Sequence, residues 1–78
     1  MRHMCLRQMK RHQSATIEAV TARGEMGRRI RDMGLVPGTM ITVQGRAPLN
    51  DPVALRVMGF TLTLRNSEAD FIHVKITE

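Results

Sequence analysis

The chain of 78 residues has few aromatic side chains: two Phe, no Tyr and no Trp. Proteins that hold single-stranded nucleic acid commonly stack its bases on aromatic rings. The composition therefore disfavours binding of single-stranded nucleic acid by base stacking. Seven Met residues are present instead, and their flexible side chains are suited to filling irregular gaps in a small core.

Cysteine and long apolar runs are also scarce. The single cysteine, Cys5, excludes an intramolecular disulfide and a zinc cage built of thiols. It is typical of a protein from a reducing compartment. Neither a signal-peptide pattern nor a run of apolar residues long enough to span a bilayer occurs in the sequence. We therefore expect a soluble cytoplasmic protein.

The net charge of +5 is unevenly distributed along the chain. Residues 1–13 contain four Lys and Arg and no acidic residue, whereas residues 14–78 contain eight Lys and Arg against seven Asp and Glu. We predict a basic N-terminal segment, 1–13, with a short helical turn at 6–9, followed by one nearly neutral domain, 14–78. This near neutrality disfavours nucleic acid as a partner.

One short helix is predicted by apolar residues at helical spacing from Met26 to Met33. We place the helix at Glu25–Met33 and expect an ion pair between Glu25 and Arg29, four residues later. Gly34 is suited to the left-handed position that ends such a helix.

Glycine and proline also predict two tight turns beyond the helix. Pro37 and Gly38 occupy the central positions of a type II turn, and Gly59 lies between two alternating apolar segments as a hairpin residue. We expect Gly34 and Gly38 to be intolerant of Val, because both require a positive φ.

Alternation of apolar and polar residues predicts five short strands, at 15–22, 40–44, 53–57, 60–64 and 72–76. Residues 66–70 are expected to form a turn or a single helical turn. Tight connections between short strands are typical of small barrels. The predicted fold is a small all-β, five-stranded, strongly bent barrel with one short helix after the first strand.

Three segments in fixed order resemble the FeoA family of small cytosolic proteins of bacterial ferrous iron transport. They are RRIRDMGLVPG (28–38), RAPLNDP (46–52) and VMGFTLTLRNSEADFIHV (57–74). The resemblance runs from about Leu6 to Ile76. It departs from the family pattern at Asn50, where Gly is usual, and at Arg11-His12, where Pro-Gly is common.

The resemblance implies an SH3-like barrel with a helix inserted after the first strand. A similar domain occurs at the C-terminus of iron-dependent repressors. It also implies an accessory role beside the membrane GTPase-transporter FeoB, whose cytosolic part is the expected partner. The protein would then lie at the inner face of the membrane through that partner, without inserting into the bilayer.

Two groups of residues are candidates for binding this partner. One group is Arg28 and Arg31 on the predicted helix. The other is the loop at 46–52, where several residues favour a turn, as is typical of a recognition surface on a rigid scaffold. The alternatives are a solvated helix face and a purely structural turn. The loop candidates are Arg46, Pro48, Leu49, Asn50, Asp51 and Pro52.

Two sets of side chains could contact a transition metal such as ferrous iron or zinc. The alternative for both is uncoordinated surface residues, since neither spacing matches a standard structural zinc site. We expect no required cofactor, and any bound ion to be weak or shared between chains, which would give a weak homo-oligomer. The sets are His3, Cys5 and His12, and Glu68, Asp70 and His73.

Catalysis is not expected from this sequence. It contains no glycine-rich phosphate loop, no H-E-x-x-H motif and no evident nucleophile with its base. Three functions stay open from the residues: an interaction module for the transporter, a metal carrier, and, less favoured, a nucleic-acid-binding small barrel.

Overall fold

Six strands form in the computed structural model, which describes residues 2–77. A 3-10 turn follows the first strand, and two helices complete the secondary structure of these residues. In chain order the elements are β1 (His3–Cys5), the 3-10 turn (Leu6–Gln8), β2 (Ser14–Val20), α1 (Gly24–Asp32), β3 (Met40–Arg46), β4 (Val53–Val57), β5 (Phe60–Leu64), α2 (Asn66–Ala69) and β6 (Ile72–Ile76).

All six strands belong to one antiparallel sheet in the order β1-β6-β2-β3-β4-β5. The register shifts between Ile17 and Ala19 on β2 and between Val43 and Gly45 on β3. Such bulges bend a strand and increase its twist. Within residues 2–77 the outer strands β1 and β5 do not pair with each other, so the curved sheet is barrel-like without a closed ladder.

The inner side of the sheet and one side of α1 share a single apolar core. Ile30 supplies the buried position of the helix, and Leu35 follows it into the same core. Burial of this apolar surface is the main favourable contribution to folding. The fully buried side chains of largest volume are Leu6, Met9, Ile17, Ile30, Leu35, Ile41, Leu55, Leu64, Ile72, Ile76, Val43 and Val53.

The end of α1 is a Schellman motif. Gly34 has a φ of 89°, and its N–H donates to the carbonyl of Arg31 at 2.9 Å. The N–H of Leu35 donates to the carbonyl of Ile30 at 3.3 Å, and both of these side chains are buried. The motif satisfies carbonyls that a helix end would otherwise leave unpaired.

Two further turns have the positive φ values that their sequences suggest. Gly38 has a φ of 94°, and the N–H of Thr39 donates to the carbonyl of Val36 at 3.0 Å, as in a type II turn. Met58 and Gly59 have φ values of 50° and 87°. This is the pattern of a type I′ turn, which matches the twist of the flanking strands β4 and β5.

We expect Gly34→Val and Gly38→Val each to lower the free energy of unfolding by about 1–2 kcal/mol, since a β-branched side chain is strained at positive φ. A Cβ atom at either position meets no atom within 4 Å, so the cost arises in the backbone alone. Urea denaturation measures it, and unchanged midpoints for both variants would contradict the turn assignments.

The N-terminal residues are part of the sheet and core. The sequence predicted five strands and a separate basic segment at 1–13, but β1 pairs with β6 through His3–Lys75, Met4–Val74 and Cys5–His73. Leu6 and Met9 are buried at 0% and 2% exposure. The additional strand has only three residues, too few for alternation to be visible in the sequence.

Candidate functional site

The loop between β3 and β4, residues 47–52, is held in one shape by four hydrogen bonds. The N–H of Asn50 donates to the carbonyl of Ala47 at 2.7 Å, and the N–H of Ala47 donates to the carbonyl of Pro52 at 3.0 Å. Asn66 of α2 donates its side-chain amide to the carbonyl of Asn50 at 2.8 Å. Its backbone N–H donates to Asp51 Oδ1 at 3.0 Å. This loop is therefore fixed on the fold.

Asn50 and Asp51 therefore both stabilise the structure of the loop. Asn50 has a φ of 64°, which asparagine tolerates better than most residues. Asp51 accepts the first backbone N–H of α2, as a capping side chain does. The loop thus forms its turn with Asn50 at the positive-φ position.

Leu49 is the feature of this loop that packing within the chain does not explain. Its side chain is 89% exposed, and Pro48 beside it is also exposed. An isolated exposed Leu is common on protein surfaces. One carried at the tip of a rigid loop is pre-ordered, which lowers the entropic cost of using it as an anchor in a binding site.

Arg46, at the start of the same loop, is engaged inside the fold. Its Nη2 donates to the carbonyls of Arg7 at 2.7 Å and Met9 at 2.9 Å, and its Nη1 donates to Asn66 Oδ1 at 3.2 Å. The guanidinium thereby joins the N-terminal residues, β3 and α2. Its direct contribution is to hold the loop's base.

We expect Arg46→Met to lower the free energy of unfolding by about 2 kcal/mol, because hydrogen bonds from a charged donor are lost while carbonyls are left unpaired. Arg56→Met is the matched control, since Arg56 is exposed on β4. Chemical denaturation of both variants measures the difference. Equal midpoints for the two variants would contradict this role for Arg46.

The arginines of α1 divide into two kinds. Arg28 and Arg31 are exposed, and Arg28 pairs with Glu25 at 3.7 Å, with both side chains largely in solvent. Arg29 pairs with Glu68 of α2. The prediction of a Glu25–Arg29 ion pair is therefore wrong. Arg29 pairs with Glu68 instead, because the Glu68 carboxylate is 4% exposed and requires a compensating charge.

The two groups of residues predicted to bind a partner, on the β3–β4 loop and on α1, flank α2. Asn66, at its start, contacts the β3–β4 loop, and Glu68, one half-turn later, contacts Arg29 of α1. The short helix therefore ties the loop that carries Leu49 to the helix that carries Arg28 and Arg31.

Five exposed large apolar side chains among residues 2–77 are not candidate site residues: Val36, Met40, Met58, Phe60 and Phe71. The three most exposed of them are Met58 at 79%, Met40 at 57% and Phe60 at 50%. The pairing of Ile41 with Val57 brings Met40 on β3 beside Met58 in the turn. A Met before Gly in a tight hairpin turn was a usable signal for exposure, since turn residues seldom reach the core.

The predicted metal-ligating residues are dispersed over the fold. Asp70 pairs with Arg7 at 3.0 Å, Glu68 pairs with Arg29, and His12 lies in a turn with a φ of 70°. Among residues 2–77 no group of three or more His, Cys, Asp and Glu is arranged to hold a metal ion. Neither predicted set is brought together as a unit.

Three of those residues do share a shallow cavity of about 320 Å³ on the outer side of β1, β2 and β6. Cys5 is directly opposite His73 in the sheet. His3 Nδ1 lies 2.6 Å from Glu18 Oε1, and His73 Nε2 lies 3.3 Å from Thr21 Oγ1. Glu18 is a member of this group that the sequence did not indicate.

Comparison with known proteins gives one family and a consistent set of relatives. The model of the FeoA domain matches residues 4–76. The fusion protein of Fe(2+) transport protein A and the Fe(2+) transporter FeoB from Porphyromonas gingivalis is 40% identical over 73 residues. The match covers 94% of this chain and 9% of that relative.

Solved structures agree with this match and confirm the predicted SH3-like fold. A FeoA-like protein from Clostridium acetobutylicum has a TM-score of 0.91 at 35% identity, covering 100% of this chain and 91% of that one. Stenotrophomonas maltophilia FeoA in complex with zinc, described as a prokaryotic SH3 domain protein, has a TM-score of 0.80 at 30% identity. That alignment covers 92% of this chain and 89% of the other. No helix within residues 2–77 has the length and apolar character needed to cross a membrane.

Proposed function

Since this chain belongs to the FeoA family, we propose that it is an accessory protein of bacterial ferrous iron transport. In this proposal it acts as an interaction module on the cytosolic part of the membrane GTPase-transporter FeoB. The relative from Porphyromonas gingivalis supports the pairing, because FeoA and FeoB are fused in that single protein. Fusion keeps two partners at a high effective concentration.

Members of this family are small accessory transport proteins with an SH3-like fold and are not enzymes. The expectation that the chain is not an enzyme is thereby confirmed. Its contribution to transport must then lie in what it binds. We place the protein in the cytoplasm, at the inner face of the membrane through its partner.

The observation that carries the proposal is the rigid loop that holds Leu49 at 89% exposure. Hot spots of interfaces are side chains that become fully desolvated in a pocket of the partner, and Leu49 can be buried in that way without rearrangement of the loop. Arg28 and Arg31, across α2, would mainly orient the two proteins and raise the association rate. An interface of less than roughly 1,200 Å² is expected for such a transient contact.

The test is ferrous iron uptake in cells in which the gene is replaced by variants. We expect Leu49→Asp and the pair Arg28→Glu with Arg31→Glu each to reduce FeoB-dependent uptake severalfold while the purified variants remain folded. Asp51 is left unchanged, because it caps α2.

Met58→Asp is the matched control for Leu49→Asp, since Met58 is 79% exposed at the tip of a different turn and Asp tolerates its positive φ. Arg23→Glu with Arg56→Glu is the charge-matched control for the double variant Arg28→Glu with Arg31→Glu. Wild-type uptake by both test variants, or an equal loss in the controls, would overturn the assignment of this surface.

For metals we propose no required cofactor. Zinc is bound by the Stenotrophomonas maltophilia relative; here the carboxylates of Glu68 and Asp70 are already engaged by Arg29 and Arg7. Any ion on this chain would then use His3, Cys5 or His73, shared with a second chain. A zinc titration under reducing conditions that also follows molecular mass tests this, and tight binding by the monomer would contradict it.

A further inference from the structure

A second concave surface lies on the N-terminal side of the β3–β4 loop. It is a cleft of about 540 Å³, formed where the turn before β2 approaches the end of β3. Gly45 contributes no side chain there, which leaves space above the strand, and Met9 is buried below. The residues that line it are Met9, Lys10, Arg11, Gly45, Arg46 and Asn50.

Positive charge dominates this cleft. Three of its lining residues are cations and none is acidic. Lys10 and Arg11 are exposed, and neither forms an ion pair with another residue in the range 2–77. Arg11 uses its Nε–H for the carbonyl of Gln44 at 3.2 Å, which leaves four of the five guanidinium donors. The cleft therefore has uncompensated charge and unused donors.

The fold fixes the backbone of the turn that carries Lys10 and Arg11. The N–H of His12 donates to the carbonyl of Val43 at 2.7 Å, the N–H of Val43 donates to the carbonyl of Gln13 at 3.0 Å, and Gln13 also closes the turn onto Lys10. His12, within this turn, adopts a φ of 70°. The basic residues, expected on a separate N-terminal segment, thus lie on an ordered turn beside β3.

We propose that this cleft binds an acidic, extended peptide segment of a protein partner. Carboxylates complement Lys10 and the remaining guanidinium donors of Arg11, and the charge of Arg46 at the base adds to the attraction. The proposal rests on the proposed function in one respect, that the acidic segment belongs to the transporter. It adds Lys10 and Arg11 to the binding surface on the other side of the Leu49 loop.

A peptide fits this surface better than a nucleic acid does. Both are anionic, but the lining contains no aromatic ring, so bases would have no platform for stacking. Outside residues 1–13 the chain is nearly neutral, so there is little additional charge to follow a longer phosphate backbone.

The experiment is an NMR titration of the full chain with hexaglutamate, with hexaglutamine and a six-nucleotide single-stranded DNA as comparison ligands. We expect hexaglutamate to shift the backbone amides of Lys10, Arg11, Gly45 and Asn50. In the variant Lys10→Gln with Arg11→Gln, the affinity should fall about five- to tenfold, the usual effect of losing two exposed ion pairs. Arg23→Gln with Arg56→Gln removes the same charge elsewhere and should change the affinity less than twofold.

The proposal is overturned if hexaglutamate shifts other surfaces instead, if both double variants weaken binding equally, or if the DNA binds more tightly than the peptide. Binding of the same variants to full-length transporter in nanodiscs separates this inference from the proposed function. If the variant Lys10→Gln with Arg11→Gln binds the transporter as tightly as the wild type, the proposed role of the cleft is overturned and the proposed function is not. Absence of transporter binding by the wild-type chain, with hexaglutamate still in the cleft, overturns the proposed function alone.

Discussion

Arg29→Ala is expected to lower the free energy of unfolding by about 2–3 kcal/mol. Only the carboxylate of the Arg29–Glu68 pair is buried, while the Arg29 side chain is 66% exposed, so the loss lies at or below the lower end of the range for a fully buried ion pair. Glu68 is 4% exposed, so its carboxylate would stay in the protein interior without a compensating cation. For a domain of this size the loss corresponds to a decrease in Tm of about 8–24 °C. Thermal and urea denaturation measure it.

The double variant Arg29→Ala with Glu68→Gln distinguishes the charge from the packing. A Gln side chain can keep the bond from the backbone N–H of Arg65, which Glu68 Oε1 accepts at 3.1 Å, and leaves no buried charge. We therefore expect the double variant to be more stable than Arg29→Ala alone. Arg28→Ala, which breaks an exposed pair, should cost less than about 0.5 kcal/mol. A loss in Arg29→Ala as small as that in Arg28→Ala would contradict the account.

Gly27→Ala should also be strongly destabilising, although Ala is the better helix former by about 1 kcal/mol. A Cβ atom at Gly27 would lie 2.3 Å from the carbonyl oxygen of Ala22, a backbone atom in the segment between β2 and α1. Relief of this contact requires the helix to move away from the core that Ile30 occupies. We expect a loss of about 3 kcal/mol, at the upper end of the range for overpacking.

Gly45→Ala is the control for this variant. A Cβ atom there is 3.8 Å from Arg11 Nε, an ordinary contact, so stability should be unchanged or slightly higher. Urea midpoints of the two variants decide the matter. If Gly27→Ala is as stable as the wild type, the close approach of α1 to Ala22 is incorrect.

Local sequence signals determined most of the fold. The three C-terminal strands were predicted with the observed bounds, because Val53–Val57, Phe60–Leu64 and Ile72–Ile76 alternate clearly and end in turns. The end of α1 was predictable for a similar reason, since a helix with an apolar stripe is followed by Gly34. The short β1 was missed, because its pairing with β6 depends on residues about seventy positions away in the chain.

Long-range contacts also explain where the site predictions were incomplete. The sequence shows a cluster of arginines. It does not show that Arg29 forms an ion pair with Glu68, or that Arg46 donates hydrogen bonds to two carbonyls far away in the chain. The distribution of charge along the sequence predicts that Lys10 and Arg11 belong to a separate N-terminal segment, whereas hydrogen bonds to β3 make them part of a cleft. Leu49 was selected from turn chemistry, and only the structure gives its exposure.

Equilibrium binding of the purified chain to full-length FeoB in nanodiscs at physiological ionic strength tests directly whether this chain binds the transporter with Leu49 as an anchor. Biolayer interferometry with the transporter immobilised measures the dissociation constant. We predict saturable binding that Leu49→Asp weakens about tenfold or more, as expected for an interface anchor, and that Met58→Asp leaves within twofold of the wild type. Absence of saturable binding by the wild-type chain would contradict the account.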